Sequence, residues 1–166
     1  MGEQQSKPDY QYGLSEITVQ LTTPGGDIRI VPGLTHKACS GLAVTMLPFG
    51  VFQVTHIGTG RKLCHNYERA SSALLAMSQW ALIADIAGKS WAALGQTGAA
   101  DLITELRSKE VPFEGCTSTS KAGTRKMTVG EWFRSHRIPI VDEFPWEETD
   151  PFEAAISNLE KIEVAE

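Results

Sequence analysis

Three cysteines and four histidines are the side chains with the widest chemical reach in this 166-residue chain. His36 and Cys39 stand three apart, Cys64 and His65 are adjacent, and Cys116 and His136 lie further on. A structural zinc site takes two ligand pairs of fixed spacing on tight turns. One H-x-x-C and one adjacent C-H do not make that pattern. Neighbouring strand residues also point to opposite faces, so Cys64 and His65 would not reach one ion together. These residues therefore read as buried cysteines and surface histidines, and neither a metal nor another cofactor is expected. Nucleophile chemistry is the other option. Cys116 lies in a Ser/Thr-rich stretch ahead of Lys121 and Arg125, whose charges would favour a thiolate. An enzyme built on Cys116 with His36, His56, His65 or His136 is thus one alternative. It has no signature behind it: the chain lacks both the Gly-x-Ser-x-Gly elbow and the glycine-lysine spacing of a phosphate loop. The expectation is a non-enzymatic protein with no catalytic residue assigned.

Two charged clusters offer binding chemistry instead. Lys121, Arg125, Lys126, Arg134, His136 and Arg137 gather around Trp132 and Phe133. Cations for phosphates and aromatics for stacking are what nucleic-acid binding uses. The competing reading places Trp132 and Phe133 in the core, with the cations over a solvated helix face. The second cluster is acidic. Residues 141–166 hold nine acidic side chains against one lysine, whereas the preceding 140 residues carry 14 basic and 11 acidic groups. The formal net charge of −5 is therefore a property of the last stretch. Within it, Phe144 and Trp146 stand among Asp142, Glu143, Glu147, Glu148 and Asp150. Aromatic anchors in an acidic rim suit a protein interface. The same run also reads as a solvated helix face, or as a clamp over the basic cluster.

The elements that position these groups follow from periodicity and punctuation. Residues 1–14 form a polar, flexible N-terminal segment, and residues 15–166 form a single α+β domain ending in the acidic stretch. Ile17, Val19 and Leu21 alternate with polar residues as a half-buried strand. Turn residues Thr23 to Asp27 lead to a return strand from Ile28, which Pro32-Gly33 should end. Leu42 to Met46, Val51 to Ile57 and Arg61 to Cys64 complete four or five antiparallel strands. An uninterrupted helix then runs from about Tyr67 to Ala87, stopped by Gly88. It is apolar on more than one side, with Leu74, Met77, Ala81 and Ala84 widened by Leu75, Leu82 and Ile86. A second helix spans Thr97 to about Ser108. Gly115 to Gly123 reads as a small-residue loop. Thr128 and Glu131 have capping-box spacing for a helix from Val129 to His136, and Ile138 to Val141 is extended. Asp150-Pro151 opens a last helix running to about Val164. Strands first and helices after give an N-terminal antiparallel β-sheet with C-terminal helices packed on one face.

The central stretch, Val54-Thr55-His56-Ile57-Gly58-Thr59-Gly60 followed by a strand and a helix, resembles a unit of small uncharacterised phage and plasmid proteins. The resemblance covers about a quarter of the chain and implies an origin in a mobile genetic element. With the acidic aromatic segment, it points to a protein that occupies a host protein. The concrete form is an inhibitor of a nucleic-acid-targeting defence system, of anti-CRISPR or anti-restriction type. A small nucleic-acid-binding accessory protein using residues 121–137 is the second alternative. Residues 1–8 lack the apolar stretch of a secretory signal, and three unevenly spaced cysteines make no disulfide framework, so a cytoplasmic location is expected. No membrane association is expected. A homodimer stays open, because the long apolar helix exceeds what one sheet covers.

Overall fold

The computed structural model describes residues 13–113, 116–135 and 150–162. Five strands come first: β1 (Leu14–Thr22), β2 (Ile28–His36), β3 (Leu42–Leu47), β4 (Val51–His56) and β5 (Arg61–Tyr67). They pair in sequence order, each antiparallel to the next. After them come α1 (Ala70–Ile86), α2 (Gln96–Leu106), a hairpin of β6 (Thr117–Ser120) and β7 (Gly123–Lys126), α3 (Val129–Ser135) and α4 (Pro151–Glu160). The protein is α+β, with an antiparallel N-terminal sheet and C-terminal helices packed on one of its faces.

Alternation along the strands divides the sheet into two faces. Leu14, Leu34, Val44 and Val54 fall on one face and join α1, α2, α3 and α4 in the main core. α1 is its centre, touching β3, β4, β5 and α4. Leu82 and Ile83 are buried as well as Ala73, Leu74, Met77, Trp80, Ala81 and Ala84, so the helix has no single apolar stripe. Ile86, expected inside, lies exposed at the helix end. α4 packs on α1 within the chain, and Asn158 Nδ2 donates to Ser78 Oγ at 3.2 Å. β5 continues to Tyr67, paired with Phe52, which delays the helix start from Tyr67 to Ala70.

The second face curls over its own small core. The Thr22 N–H donates to Gly60 O at 2.9 Å, and Thr22 Oγ1 to Thr59 O at 3.1 Å, joining the end of β1 to the β4–β5 turn. Val19, Leu21 and Ala43 are buried there. Three buried polar side chains on this face satisfy one another. Gln53 Nε2 donates to Thr55 Oγ1 at 3.0 Å, and the Thr45 and Thr55 hydroxyls lie 2.7 Å apart. Pro32-Gly33 does not end β2, which runs through to His36 in unbroken register with β1. A Cβ at Gly33 would sit 2.9 Å from Val19 Cγ2 and 3.3 Å from Val44 O, on the crowded concave side. Pairing of β2 with β3 is confined to Gly33–Thr45 and Leu34–Val44, so Ile28 to Val31 project past β3.

The segment after α1 locks sheet to helices through close backbone contact. A Cβ at Gly58 would meet Leu94 O at 2.6 Å, and one at Gly41, whose φ is +90°, would meet the Trp91 carbonyl at 2.6 Å. Gly58→Ala and Gly41→Ala should each cost about 2 kcal/mol or more in denaturant unfolding, because backbone must move. Gly25→Ala, with open space around it, should stay within about 0.5 kcal/mol. Equal midpoints for all three variants would contradict this packing.

Candidate functional site

Among the described residues, the chemistry-bearing side chains do not converge. Cys39 is buried, and burial pushes its thiol up to about 12. Burial also raises the Cys116 thiol above its ordinary value, with the Lys126 charge opposing only part of the shift. That is opposite to the lowering that the enzyme alternative would need. His36 and His56, expected at the surface, are buried. His56 Nε2 lies 2.7 Å from the Trp91 carbonyl oxygen, and its Nδ1 lies 3.0 Å from Thr59 Oγ1. His36 Nδ1 accepts from the Ala38 N–H at 3.0 Å. The His65 ring stacks on Phe133 with centroids 5.3 Å apart. Among the described residues, none of these rings is hydrogen-bonded to Cys116, and no group of three or more His, Cys, Asp or Glu could hold a metal ion. His136 lies outside the described residues.

The basic cluster is divided by the fold. Gly115 to Gly123 was expected to be a loop, but Thr117 to Lys126 form a two-stranded hairpin, β6 paired with β7 from Thr117–Lys126 to Ser120–Gly123. Lys121 is at its turn, and every residue along it is exposed except the half-buried Ser118. Met127 N–H donates to Cys116 O at 2.9 Å and closes its base. The capping box at α3 forms as expected: Glu131 N–H donates to Thr128 Oγ1 at 3.2 Å, and Thr128 N–H to Glu131 Oε1 at 3.3 Å. Arg125 then grips the same carboxylate with two bonds, at 2.7 and 2.9 Å. This fork is a bidentate charge-assisted pair, so Arg125 fixes the hairpin to the helix. Trp132 is buried, packed at 5.4 Å against both Trp80 and Phe113, and Phe133 packs on Trp80 at 5.8 Å. These aromatics belong to the core. Lys121, Lys126 and Arg134 are exposed, and Arg137 lies outside the described residues.

Of the acidic aromatic set, Asp142, Glu143, Phe144, Trp146, Glu147 and Glu148 lie outside the described residues. Asp150 is exposed and caps α4, its Oδ1 accepting from the Phe152 N–H at 2.9 Å.

A different surface emerges from the sheet. The turn joining β3 to β4, Pro48 to Gly50, carries Phe49 at φ 70° and ψ 17°. That is the left-handed region, which costs a side-chain-bearing residue about 1 kcal/mol or more. Phe49 nevertheless stands wholly in solvent, at 103% relative exposure. The hairpin below it walls an open groove of about 1120 Å³, lined by Leu14, Pro32, Leu34, Met46 and Phe52 with Glu16 at its side. Ile28 and Ile30 project along the neighbouring part of β2, 65% and 70% exposed. Sequence periodicity could not have found this site, since an apolar residue at a hairpin turn looks no different from core.

No family model, curated protein or solved structure matches the chain. Among the described residues no helix is long and apolar enough to cross a membrane.

The Arg125 fork holds the Glu131 carboxyl at about 2, well below its ordinary 4.5. With the folded value depressed, the clasp contributes fully above the unfolded value and is lost as pH falls from there through about 2. Carbon-detected NMR titration should place the Glu131 midpoint near 2, and Arg125→Gln should return it toward 4.5. A midpoint near 4.5 in the intact protein would show that the fork does not persist in solution.

Proposed function

We infer that this is a non-enzymatic protein-binding protein whose interface is centred on Phe49. The observation that carries the reading is a phenylalanine held in a costly backbone conformation with its ring fully in water. Strain of that kind without a packing return is what a binding residue displays. The groove lined by Met46 and Phe52 and the exposed Ile28 and Ile30 add apolar surface on the same sheet. An anchor aromatic beside such a patch suits a partner with an apolar pocket. The acidic composition of residues 141–166 favours a partner that is basic around it.

A nucleic-acid-targeting host protein has that chemistry, since its working surface is basic. The resemblance of Val54 to Gly60 to phage and plasmid proteins supports a mobile-element origin. Together these give the specific form of the proposal: an inhibitor of anti-CRISPR or anti-restriction type, acting in the cytoplasm by occupying a host protein. The fold's polar groups support binding over catalysis, because His56 and Arg125 are spent on structure.

Phe49→Gly tests the reading on two readouts. Relief of the left-handed strain should leave unfolding stability unchanged or raise it by about 1 kcal/mol. The same variant should lose stoichiometric capture of a host protein from nuclease-treated bacterial cytosol. It should also lose any protection of phage against a restriction or CRISPR system, while Cys116→Ser keeps both. A Phe49→Gly protein that is destabilised yet still captures and protects would overturn the assignment.

A further inference from the structure

We propose that the β6–β7 hairpin is a second binding surface, which engages the major groove of duplex DNA. It is a two-stranded ribbon mounted on the body by three ties: the Met127–Cys116 bond, the Arg125–Glu131 fork and the Glu110–Thr128 bridge. An exposed pair of strands has little stability of its own, so an anchored ribbon with solvent around it is held out by design of its base. Its side chains are hydroxyls and cations: Thr117, Ser118, Thr119, Ser120 and Thr124 with Lys121, Arg125 and Lys126, and no carboxylate from Thr117 to Lys126.

The major groove of B-form DNA admits a two-stranded ribbon, and serine and threonine hydroxyls can meet donors and acceptors on base edges there. The register places Thr117, Thr119, Thr124 and Lys126 on one face of the ribbon, with Ser118, Ser120 and Arg125 on the other. Lys121 leads at the turn. Arg134 sits three residues beyond Glu131 on α3, so it shares the helix face that carries the fork. Of the two carboxylates at the ribbon's base, Glu131 is held by Arg125, and Glu110, bridged to Thr128, is exposed.

Two other nucleic acids fit less well. Single strands bind on exposed aromatic platforms, and Trp132 and Phe133 are packed in the core. Duplex RNA presents a major groove too deep and narrow for such a ribbon. On the ribbon and α3, Lys121, Lys126 and Arg134 are the exposed cations outside the fork that meet phosphates, one at the tip and two toward the base.

Fluorescence anisotropy of the full-length protein with a labelled DNA duplex tests this directly. Three phosphate contacts predict a log–log salt slope of about −2.7, or a roughly 40-fold weakening between about 50 and 200 mM salt. Lys121→Gln, Lys126→Gln and Arg134→Gln should each reduce the slope by about 1. The corresponding Lys126→Arg and Arg134→Lys variants should keep it, and circular dichroism should show all of them folded. Duplex RNA and single-stranded DNA of the same length should bind more weakly than duplex DNA. No duplex binding up to about 100 µM protein at low salt, an affinity and salt slope of the three Gln variants equal to those of the unaltered protein, or a preference for single strands would each overturn the proposal. Phe49→Gly should leave DNA binding unchanged, which separates this surface from the protein-binding one.

Discussion

The structure depends on one buried imidazole. His56 ends β4 at the sheet's inner edge, and its Nε2 meets the Trp91 carbonyl at 2.7 Å. A carbonyl only accepts, so Nε2 carries the hydrogen. Nδ1 is then left to accept from Thr59 Oγ1, which itself accepts from the Arg61 N–H at 3.3 Å. Trp91 returns the tie to the helices, because its indole N–H donates to Trp80 O at 3.1 Å. The chain of donors therefore runs from the start of β5 through the imidazole to α1. Removing the ring would leave the buried Trp91 carbonyl without its donor, a loss of about 1–3 kcal/mol. Gly41 and Gly58 let the Trp91–Leu94 backbone come close enough for this contact, and Gly60 gives the same access to Gln20 and Thr22.

This constraint changes what the Thr55 to Gly60 stretch means. His56 was one candidate partner for Cys116, yet it and its neighbours are used for packing or turning. Thr55 closes the polar ladder with Thr45 and Gln53, His56 bridges to Trp91, and the two glycines clear space for neighbouring backbone. What remains exposed at the edges carries the two proposed binding surfaces: a strained aromatic turn at one place, a hydroxyl-rich ribbon at another. A rigid centre with recognition on protruding hairpins is a sound division, since a hairpin can be altered without breaking the latch.

Much of the fold was legible because burial left a period in the sequence. Ile17, Val19 and Leu21 alternate because one face of β1 is enclosed, and the Thr128–Glu131 capping box is a local pattern that tertiary contacts did not override. The errors fall where local chemistry and tertiary shape part company. Pro32-Gly33 reads as a stop, but the curl of the sheet needs a residue without a side chain there. Thr117 to Lys126 has no apolar alternation because neither face of the ribbon is buried, so its pairing leaves no mark on composition. Nothing near His56 announces Trp91, which lies 35 residues away in sequence. Trp132 and Phe133 interleave with cations along the chain, yet α3 turns them inward and Arg134 out.

The central claim is that His56 is a structural latch and not a reactive group. Nitrogen-15 NMR of the imidazole, read through long-range couplings to its ring carbons, tests it most directly. The account predicts the tautomer with hydrogen on Nε2, and a slowly exchanging Nε2–H signal showing contact with the Trp91 backbone. A rapidly exchanging ring, or the opposite tautomer, would mean that the latch is open in solution and that the fold is held by something else.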